Sequence, residues 1–298
     1  MSTSNAHYLP PALAAARDTM VTPSAGTVSY YGDTRVDGRP LLLLHSINAA
    51  PSAMEIKPLF DHYRQFRPVY APDLPGFGFS DRADLEYSPD LYASALLEFI
   101  AGLDLPAVDV VALSTSAEFA ARAAIAEPQR FHSLVLVSPT GLGNRAPPKQ
   151  PTKDRMHRIF RSPLLGPGLY RLLTTKVSIR FFLNLAFEGK PPAELIDYAY
   201  ATAHQPGALY APYCFLSGKL FTREACSSLY ENLSMPALIL YDKDPNISFE
   251  KLPRLLQKNP RCAARRIAPT RGLPHWEQLE KTVAALEDFW PVESTEGA

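Results

Sequence analysis

A serine between small residues follows a short apolar run in this chain. Ser114 comes directly after Val108–Leu113, with Ala112 two residues before it and Ser116 two residues after it. A serine on a tight strand-to-helix turn presents its hydroxyl at the end of a sheet, where it attacks carbonyl carbons if a neighbouring base takes its proton. The alternative is that Ser114 caps the N-terminus of the following helix. The local sequence favours the two interpretations equally.

The segments around Ser114 alternate between short apolar runs and helical patterns. Continuous apolar runs are typical of strands covered on both faces. Their alternation with helices predicts an α/β fold with a mostly parallel, doubly wound sheet. The predicted strands are Leu41–His45, Val69–Ala71, Val108–Leu113, Leu134–Val137 and Leu238–Tyr241, with one more near Ile267, and the predicted helices include Ser88–Ala101, Ala117–Ala126 and Glu277–Phe289.

Residues 142–234 interrupt this alternation with helical patterns and no strand signal. We therefore predict a core of residues 1–141 and 235–298 and a helical insertion of residues 142–234. In a doubly wound sheet such an insertion lies beyond the strand ends, where ligands bind. Its large apolar side chains either fill a small core of the insertion, as we expect for most of them, or line a pocket. They include Ile159, Phe160, Leu164, Leu165, Tyr170, Phe181, Phe182, Leu185 and Phe187.

Charge and composition limit the classes of partner. Lys plus Arg and Asp plus Glu both number 30, so no net field attracts nucleic acid or an anionic membrane, and we expect a small apolar or acyl substrate. No run is long enough for a membrane span, and no signal peptide is evident. Cys214, Cys226 and Cys262 form no CxxC pair and predict free thiols in a cytoplasmic protein. No residue spacing indicates a metal site, and we expect no cofactor.

Several motifs, in the same order along the chain, resemble those of the α/β-hydrolase fold family over nearly the whole length. The most specific is Ala71–Arg82 (APDLPGFGFSDR), which is similar to the family's D-x-P-G-x-G-x-S segment. Leu41–Ser46 (LLLLHS) resembles the strand that ends in His-Gly before the oxyanion loop. Pro236–Ser248 (PALILYDKDPNIS) looks like the strand and acidic turn, and Leu273–Glu277 (LPHWE) looks like the segment around the catalytic histidine. The resemblance implies that the insertion is the family's cap.

The resemblance assigns roles position by position. Ser114 matches the nucleophile, and the backbone N–H groups of Ile47 and Thr115 match the oxyanion-hole donors, which face the charge that develops in the transition state. Asp244 matches the acid of the catalytic triad, with Asp242 as an alternative. The chain order of serine, acid and histidine is also the order of the family.

The match departs from the family at the base. The family's catalytic histidine stands three residues before the histidine of Pro-His-Trp-Glu, and Gly272 occupies that position here. His275, on a re-routed loop, and His204, from the insertion, are both candidates for the base, and both are also explained by structural roles. Ser46 replaces the family's glycine, so the oxyanion hole is expected to differ in geometry, with His45 and Ser46 beside the pocket.

These residues support two hypotheses. The first is a serine hydrolase that cleaves an ester, thioester or lactone with a substantial apolar part, using Ser114, His275 and Asp244. The second is a hydrolase-fold protein with altered or lost hydrolysis, either a lyase or cyclase that transfers protons or a binding protein, since a fold alone does not set the chemistry.

Overall fold

Eight strands form one sheet in the computed structural model, which describes residues 8–290 of the chain. In chain order they are β1 (Ala16–Thr22), β2 (Gly26–Asp33), β3 (Leu41–Leu44), β4 (Val69–Pro72), β5 (Val108–Leu113), β6 (Phe131–Val137), β7 (Ala237–Tyr241) and β8 (Cys262–Arg266).

The sheet has the strand order β1-β2-β4-β3-β5-β6-β7-β8. All pairs from β4 to β8 are parallel, and only the β1–β2 and β2–β4 pairs are antiparallel. The predicted mostly parallel α/β sheet is therefore confirmed. The N-terminal hairpin of β1 and β2 was not predicted, and the last strand ends one residue before Ile267.

Helices cover both faces of the sheet. Successive residues of a strand point to opposite faces, so that Leu42 and Leu44 pack in one buried cluster while Leu41 and Leu43 pack in another. The helices outside the stretch between β6 and β7 are α1 (Lys57–Tyr63), α2 (Pro89–Gly102), α3 (Ser116–Ala126), α10 (Leu252–Lys258), α11 (Pro274–Glu277) and α12 (Leu279–Phe289).

The chain between β6 and β7 is helical throughout its regular structure, and we call it the helical insertion. The exact boundaries of the core and the insertion stay a prediction. Its helices are α4 (Gln150–Phe160), α5 (Gly166–Leu173), α6 (Lys176–Leu185), α7 (Ala193–Ala203), α8 (Tyr210–Leu216) and α9 (Ala225–Ser228).

The large apolar side chains of the insertion divide into three groups, of which Phe160 and Leu185 are the half-buried one. Tyr170 and Phe187 are buried, as expected for a core. The expectation that most of the group fills a small core is wrong for the remainder that face solvent, since no other element of the described chain covers them. These exposed residues are Ile159, Leu164, Leu165, Phe181 and Phe182.

Two further features bear on the sequence predictions. Cys214, Cys226 and Cys262 are free and buried, which confirms the predicted unpaired thiols. Among the helices within residues 8–290, none combines the length and the apolar character that crossing a bilayer requires.

Candidate active site

Ser114 lies on the turn between β5 and α3 with a φ of 52°. This left-handed conformation is uncommon for residues with a Cβ atom and marks a strained turn. The Ser114 N–H donates to the Val137 carbonyl of the neighbouring strand at 2.9 Å, which holds the turn against the sheet. The N-cap of α3 is Thr115, without a side-chain hydrogen bond, so the helix-cap interpretation of Ser114 is wrong. The half-buried serine is the most exposed residue of an otherwise buried strand-to-helix turn.

The residues two positions from Ser114 fit the close approach that the elbow requires. Ala112 and Ser116 are both fully buried. The Ser116 hydroxyl donates to the carbonyl oxygen of His45, which ties the elbow to the end of β3. A glycine at either position is therefore unnecessary, because both small side chains have room.

The two expected oxyanion-hole donors are available to a ligand. β3 and β5 are neighbours, with Leu44 opposite Ala112, so the loop after β3 lies beside the elbow. Within the described residues, the N–H groups of Ile47 and Thr115 donate to no protein acceptor. Both residues are buried, and an unpaired buried N–H is costly unless a ligand or water accepts from it.

A buried carboxyl that the sequence analysis missed holds the loop after β3. Glu55 accepts from the Ser46 N–H at 2.8 Å and from the Asn48 amide at 2.9 Å. The Asn48 amide also donates to the Ser46 hydroxyl, 2.9 Å away. Burial raises the pKa of Glu55, although these hydrogen bonds act in the opposite direction. In the sequence, Asn48 and Glu55 stand in a stretch of small residues and belong to no recognisable motif, so they gave no sign of this role.

The same cluster explains the serine at position 46. Ser46 is not among the non-glycine residues with positive φ in the described chain, so the loop does not need glycine there. The hydroxyl and amide of Ser46 both take part in the hydrogen bonds around Glu55. The loop therefore has its own backbone course, which its polar side chains stabilise.

His45 does not face a pocket, which corrects the expectation from the sequence. Its ring is fully buried, with Nδ1 2.6 Å from the Ser46 carbonyl and Nε2 2.9 Å from the Leu74 N–H. Since the carbonyl only accepts, Nδ1 carries the proton and Nε2 accepts. Burial lowers the pKa of His45 to about 4. His45 is thus a neutral structural residue that links the loops after β3 and β4.

The two candidate acids after β7 have different surroundings. Asp242 accepts from the Arg266 guanidinium at 2.7 Å and from the Thr270 N–H at 2.8 Å. Burial alone would raise the pKa of Asp242, but these hydrogen bonds lower it below its usual value. Asp242 therefore fastens β8 and the following loop and is not available to a catalytic base.

Asp244 instead faces the position where the family carries its histidine. One of its oxygens accepts from the N–H groups of Asn246 and Ile247. The other oxygen, Oδ2, lies 2.8 Å from the point where a Cβ atom on Gly272 would stand. Burial raises the pKa of Asp244 to about 6, and the two backbone hydrogen bonds offset only part of this shift.

Gly272 differs from a histidine in its backbone conformation as well as in its side chain. Its φ is 130°, in a region that residues with a Cβ atom rarely adopt. A Cβ atom there would also press on the Asp244 carboxyl. The loop before α11 is therefore built around glycine, and an imidazole at this position needs a different backbone course.

His275 is not placed to act on Ser114, contrary to the role predicted for it. Its Nε2 donates to the Glu55 carbonyl oxygen at 2.7 Å, beside the indole N–H of Trp276, which donates to the same oxygen at 2.6 Å. Its Nδ1 is buried without a hydrogen-bond partner in the described chain. Burial lowers the pKa of His275 to about 4. The residue fastens the start of α11 to the helical turn after β3.

His204 is likewise held away from the elbow by local contacts. It follows α7, where its Nδ1 lies 2.8 Å from the Tyr200 carbonyl oxygen. Its ring packs against the Tyr200 ring with centroids 4.1 Å apart. Neither candidate histidine forms a hydrogen bond with Ser114 in the part of the chain that the structure describes.

The structural role of His275 leads to a pH-dependent prediction. Unfolded histidine titrates at about 6.5 and folded His275 at about 4, so the unfolded chain binds the extra proton between these values. The contribution to stability is complete above pH 6.5 and is lost as the pH falls toward 4. We expect urea unfolding to show that wild type loses about 2 kcal/mol more than His275→Gln between pH 7 and pH 5. Identical losses would contradict the assignment.

Gly272→His tests whether the missing base is a simple side-chain deletion. We expect this variant to lower the free energy of unfolding by about 1–3 kcal/mol, because the backbone at position 272 has a positive φ and the new Cβ atom would press on Asp244. Gly189→His is the matched control, since nothing lies within 4 Å of a Cβ atom there. Reaction of Ser114 with a fluorophosphonate should not accelerate in Gly272→His. A large acceleration would show that the loop readily accepts a triad.

A sequence model of the alpha/beta hydrolase family matches residues 41–286. The match covers most of the chain, and the sheet order and elbow agree with it. The chain therefore belongs to the alpha/beta hydrolase family.

Two characterised relatives are both named 2-hydroxymuconate semialdehyde hydrolase. The protein from Pseudomonas sp. (strain CF600) is 30% identical over 107 residues, which cover 35% of this chain and 38% of that protein. The protein from Pseudomonas putida is 32% identical over 107 residues, or 36% of this chain and 38% of that protein. The similarity thus spans well under half of either relative.

Solved structures share the fold over nearly the whole chain. A serine hydrolase involved in carbazole degradation superposes with a TM-score of 0.77 at 16% identity, covering 94% of this chain and all of that one. A thermophilic esterase from Thermogutta terrifontis superposes with a TM-score of 0.72 at 20% identity, covering 93% and 98%. At these identities the likeness shows the fold alone.

Proposed function

We propose that this chain is a hydrolase in which Ser114 attacks an activated carbonyl and Asp244 replaces histidine as the base. The observation that carries the proposal is the elbow itself. Ser114 has a positive φ, Thr115 follows it, and Ile47 belongs to the loop after the neighbouring strand β3. Within the described residues neither the Ile47 nor the Thr115 N–H has a protein acceptor. Such donors stabilise a developing oxyanion, and one of them is worth roughly 3 kcal/mol in the transition state.

Asp244 is the candidate base because the histidines are engaged elsewhere. Its Oδ2 faces Gly272, whereas Asp242 is held by Arg266 and Thr270. A pKa of about 6 makes Asp244 a stronger base than an ordinary carboxylate while it stays ionised at neutral pH. A water molecule hydrogen-bonded to Asp244 would take the place of the missing imidazole ring.

The proposed reaction proceeds through an acyl-enzyme. The Ser114 oxygen bonds to the carbonyl carbon, its proton passes through the water to Asp244, and the carbonyl electron pair becomes the oxyanion held by Ile47 and Thr115. Collapse of this intermediate expels the alcohol or thiol, which takes the proton back from Asp244. A second water then attacks the acyl carbon and gives a proton to Asp244. When this second intermediate collapses, the C–O bond to Ser114 breaks, the Ser114 oxygen takes the proton back from Asp244, and a carboxylic acid is released.

Esters, thioesters and lactones with an apolar acyl part suit this site. Their alcohol or thiol leaving groups depart more readily than the amine of an amide, which matters where a histidine is absent. The gap between the helical insertion and the loop after β3 is lined mostly by small apolar residues but is too narrow for a water molecule, and the Tyr170 hydroxyl donates to the Ala49 carbonyl across it. An acyl group that enters there must move the insertion apart from the loop. Its lining includes Ala49, Ala50, Phe77, Ala203 and Ala208.

The proposal is tested by reacting the chain with a fluorophosphonate and mapping the modified peptide by mass spectrometry. We expect a single adduct on Ser114, together with slow turnover of short and medium p-nitrophenyl esters. Matching thioester and lactone assays would then define the substrate class. An adduct on any other residue would exclude Ser114 as the nucleophile.

Altered or lost hydrolysis is the second candidate, and Gly272 is the observation that favours it. A protein that only binds a carbonyl ligand needs the oxyanion-hole donors but no base. The absence of both adduct and turnover, with ligand binding retained, would replace the hydrolase proposal with this one.

A further inference from the structure

The outward faces of α5 and α6 are rich in apolar residues, which is the reverse of an ordinary surface helix. Leu165, Leu169 and Leu172 follow each other at intervals of four and three residues, so they share one face of α5. Leu164 is 91% exposed in the loop before this helix, and Val177 is 78% exposed on α6. We call the following residues the outer apolar patch: Leu164, Leu165, Leu169, Leu172, Val177 and Phe181.

The charge around the outer apolar patch is strongly one-sided. Between residues 145 and 187 the only acidic residue is Asp154, so the zero net charge of the whole chain conceals a basic segment and an acidic remainder. The nine basic residues of this segment are Arg145, Lys149, Lys153, Arg155, Arg158, Arg161, Arg171, Lys176 and Arg180.

Four of these arginines are exposed on helices of the insertion: two on α4, which adjoins α5, and one each on α5 and α6, which carry the outer apolar patch. Arg161 and Lys176 form ion pairs with Asp84 and Asp197. Within residues 8–290, the four exposed arginines that remain on these helices form no ion pair and are available to an outside partner. These are Arg155, Arg158, Arg171 and Arg180.

We propose that the outer apolar patch and these four arginines bind the surface of a lipid bilayer that contains anionic headgroups. Interfacial helices combine exposed leucine and phenylalanine, which enter the headgroup and acyl boundary, with basic residues that meet the anionic lipids. Monomers rarely expose apolar patches of this kind without a partner.

A second copy of the chain suits this face less well than a bilayer does. A two-fold interface places the same surface on both sides. Here it would bring four unpaired arginines toward four others, whereas an anionic bilayer neutralises them. The proposal is independent of the reaction at Ser114.

The test is sedimentation of the full chain with vesicles of phosphatidylcholine alone or of phosphatidylcholine mixed with phosphatidylglycerol. We expect binding to the anionic vesicles, weak binding to the neutral ones, and release as salt increases. The triple variant Arg158→Gln/Arg171→Gln/Arg180→Gln should lower the partition coefficient on the order of 100-fold.

An apolar variant, Leu164→Ser/Leu172→Ser/Phe181→Ser, should also lose binding to the anionic vesicles. Val21→Ser/Phe66→Ser is the matched control, because these side chains are exposed outside the insertion, and it should bind like wild type. Circular dichroism verifies that each variant is folded, and Leu164→Ser alone serves if the triple variant is not.

Three results would overturn the proposal. The protein could stay in the supernatant with every vesicle composition, or all variants could bind as tightly as wild type. Gel filtration could instead show a dimer that the apolar variant dissociates, which would assign the outer apolar patch to a second copy of the chain.

Discussion

Ser114→Ala is expected to abolish covalent labelling by a fluorophosphonate and to lower ester turnover at least about 10³-fold. The hydroxyl is the only atom group removed, while the turn keeps its hydrogen bond from the Ser114 N–H to Val137. Oxyanion-hole donors and substrate binding remain, so a small residual rate persists. Intact mass spectrometry and initial rates with p-nitrophenyl butyrate measure the two effects.

Ser116→Ala is the matched control, because its serine is two residues away in the same turn. The Ser116 hydroxyl donates to the His45 carbonyl and is fully buried, so it is not a nucleophile. The variant should lose about 1 kcal/mol of stability and keep the adduct. Labelling that disappears in Ser116→Ala but persists in Ser114→Ala would refute the assignment.

Asp244→Asn is expected to lower kcat/KM by roughly 10²–10⁴-fold. An asparagine has nearly the same shape and accepts the same hydrogen bonds from Asn246 and Ile247, but it takes no proton at neutral pH. The base acts when ionised, and the pKa of Asp244 is raised to about 6. Wild-type kcat/KM should therefore rise with pH, pass its midpoint near pH 6 and level off above it.

Asp242→Asn separates the two acids that the sequence left open. This variant weakens the contacts with Arg266 and the Thr270 N–H, which should cost about 1–3 kcal/mol in the free energy of unfolding. Its kcat/KM should keep the midpoint near pH 6 at temperatures where it is folded. If Asp242→Asn removed that midpoint and Asp244→Asn preserved it, the base would be Asp242.

Much of the sheet could be predicted from the sequence because its central strands are buried on both faces. The runs at Leu41–Leu44 and Val108–Leu113 are continuously apolar, and both are strands in the structure. β1 was missed for the opposite reason. It is an edge strand whose residues are mostly exposed, so its sequence lacks an apolar pattern. Its strand conformation depends on the backbone hydrogen bonds with β2.

The residues around Ser114, together with the order of motifs along the chain, predicted the elbow but not the base. A strand, a serine between small residues and a helix are contiguous, so their arrangement depends on local backbone sterics. The partner of His275 is 220 residues away in the sequence, at the Glu55 carbonyl. No spacing near His275 indicates that contact, and the same holds for Glu55 itself.

The sequence by itself determined the α/β class, the position of Ser114 after a strand and the glycine at position 272, because each depends on residues that are neighbours along the chain. Tertiary structure alone decided that Asp244 rather than Asp242 faces Gly272, that His275 is tied to Glu55, and that the apolar residues of α5 and α6 point outward. These outcomes depend on which groups from distant segments satisfy one another's hydrogen bonds and cover one another's apolar surface.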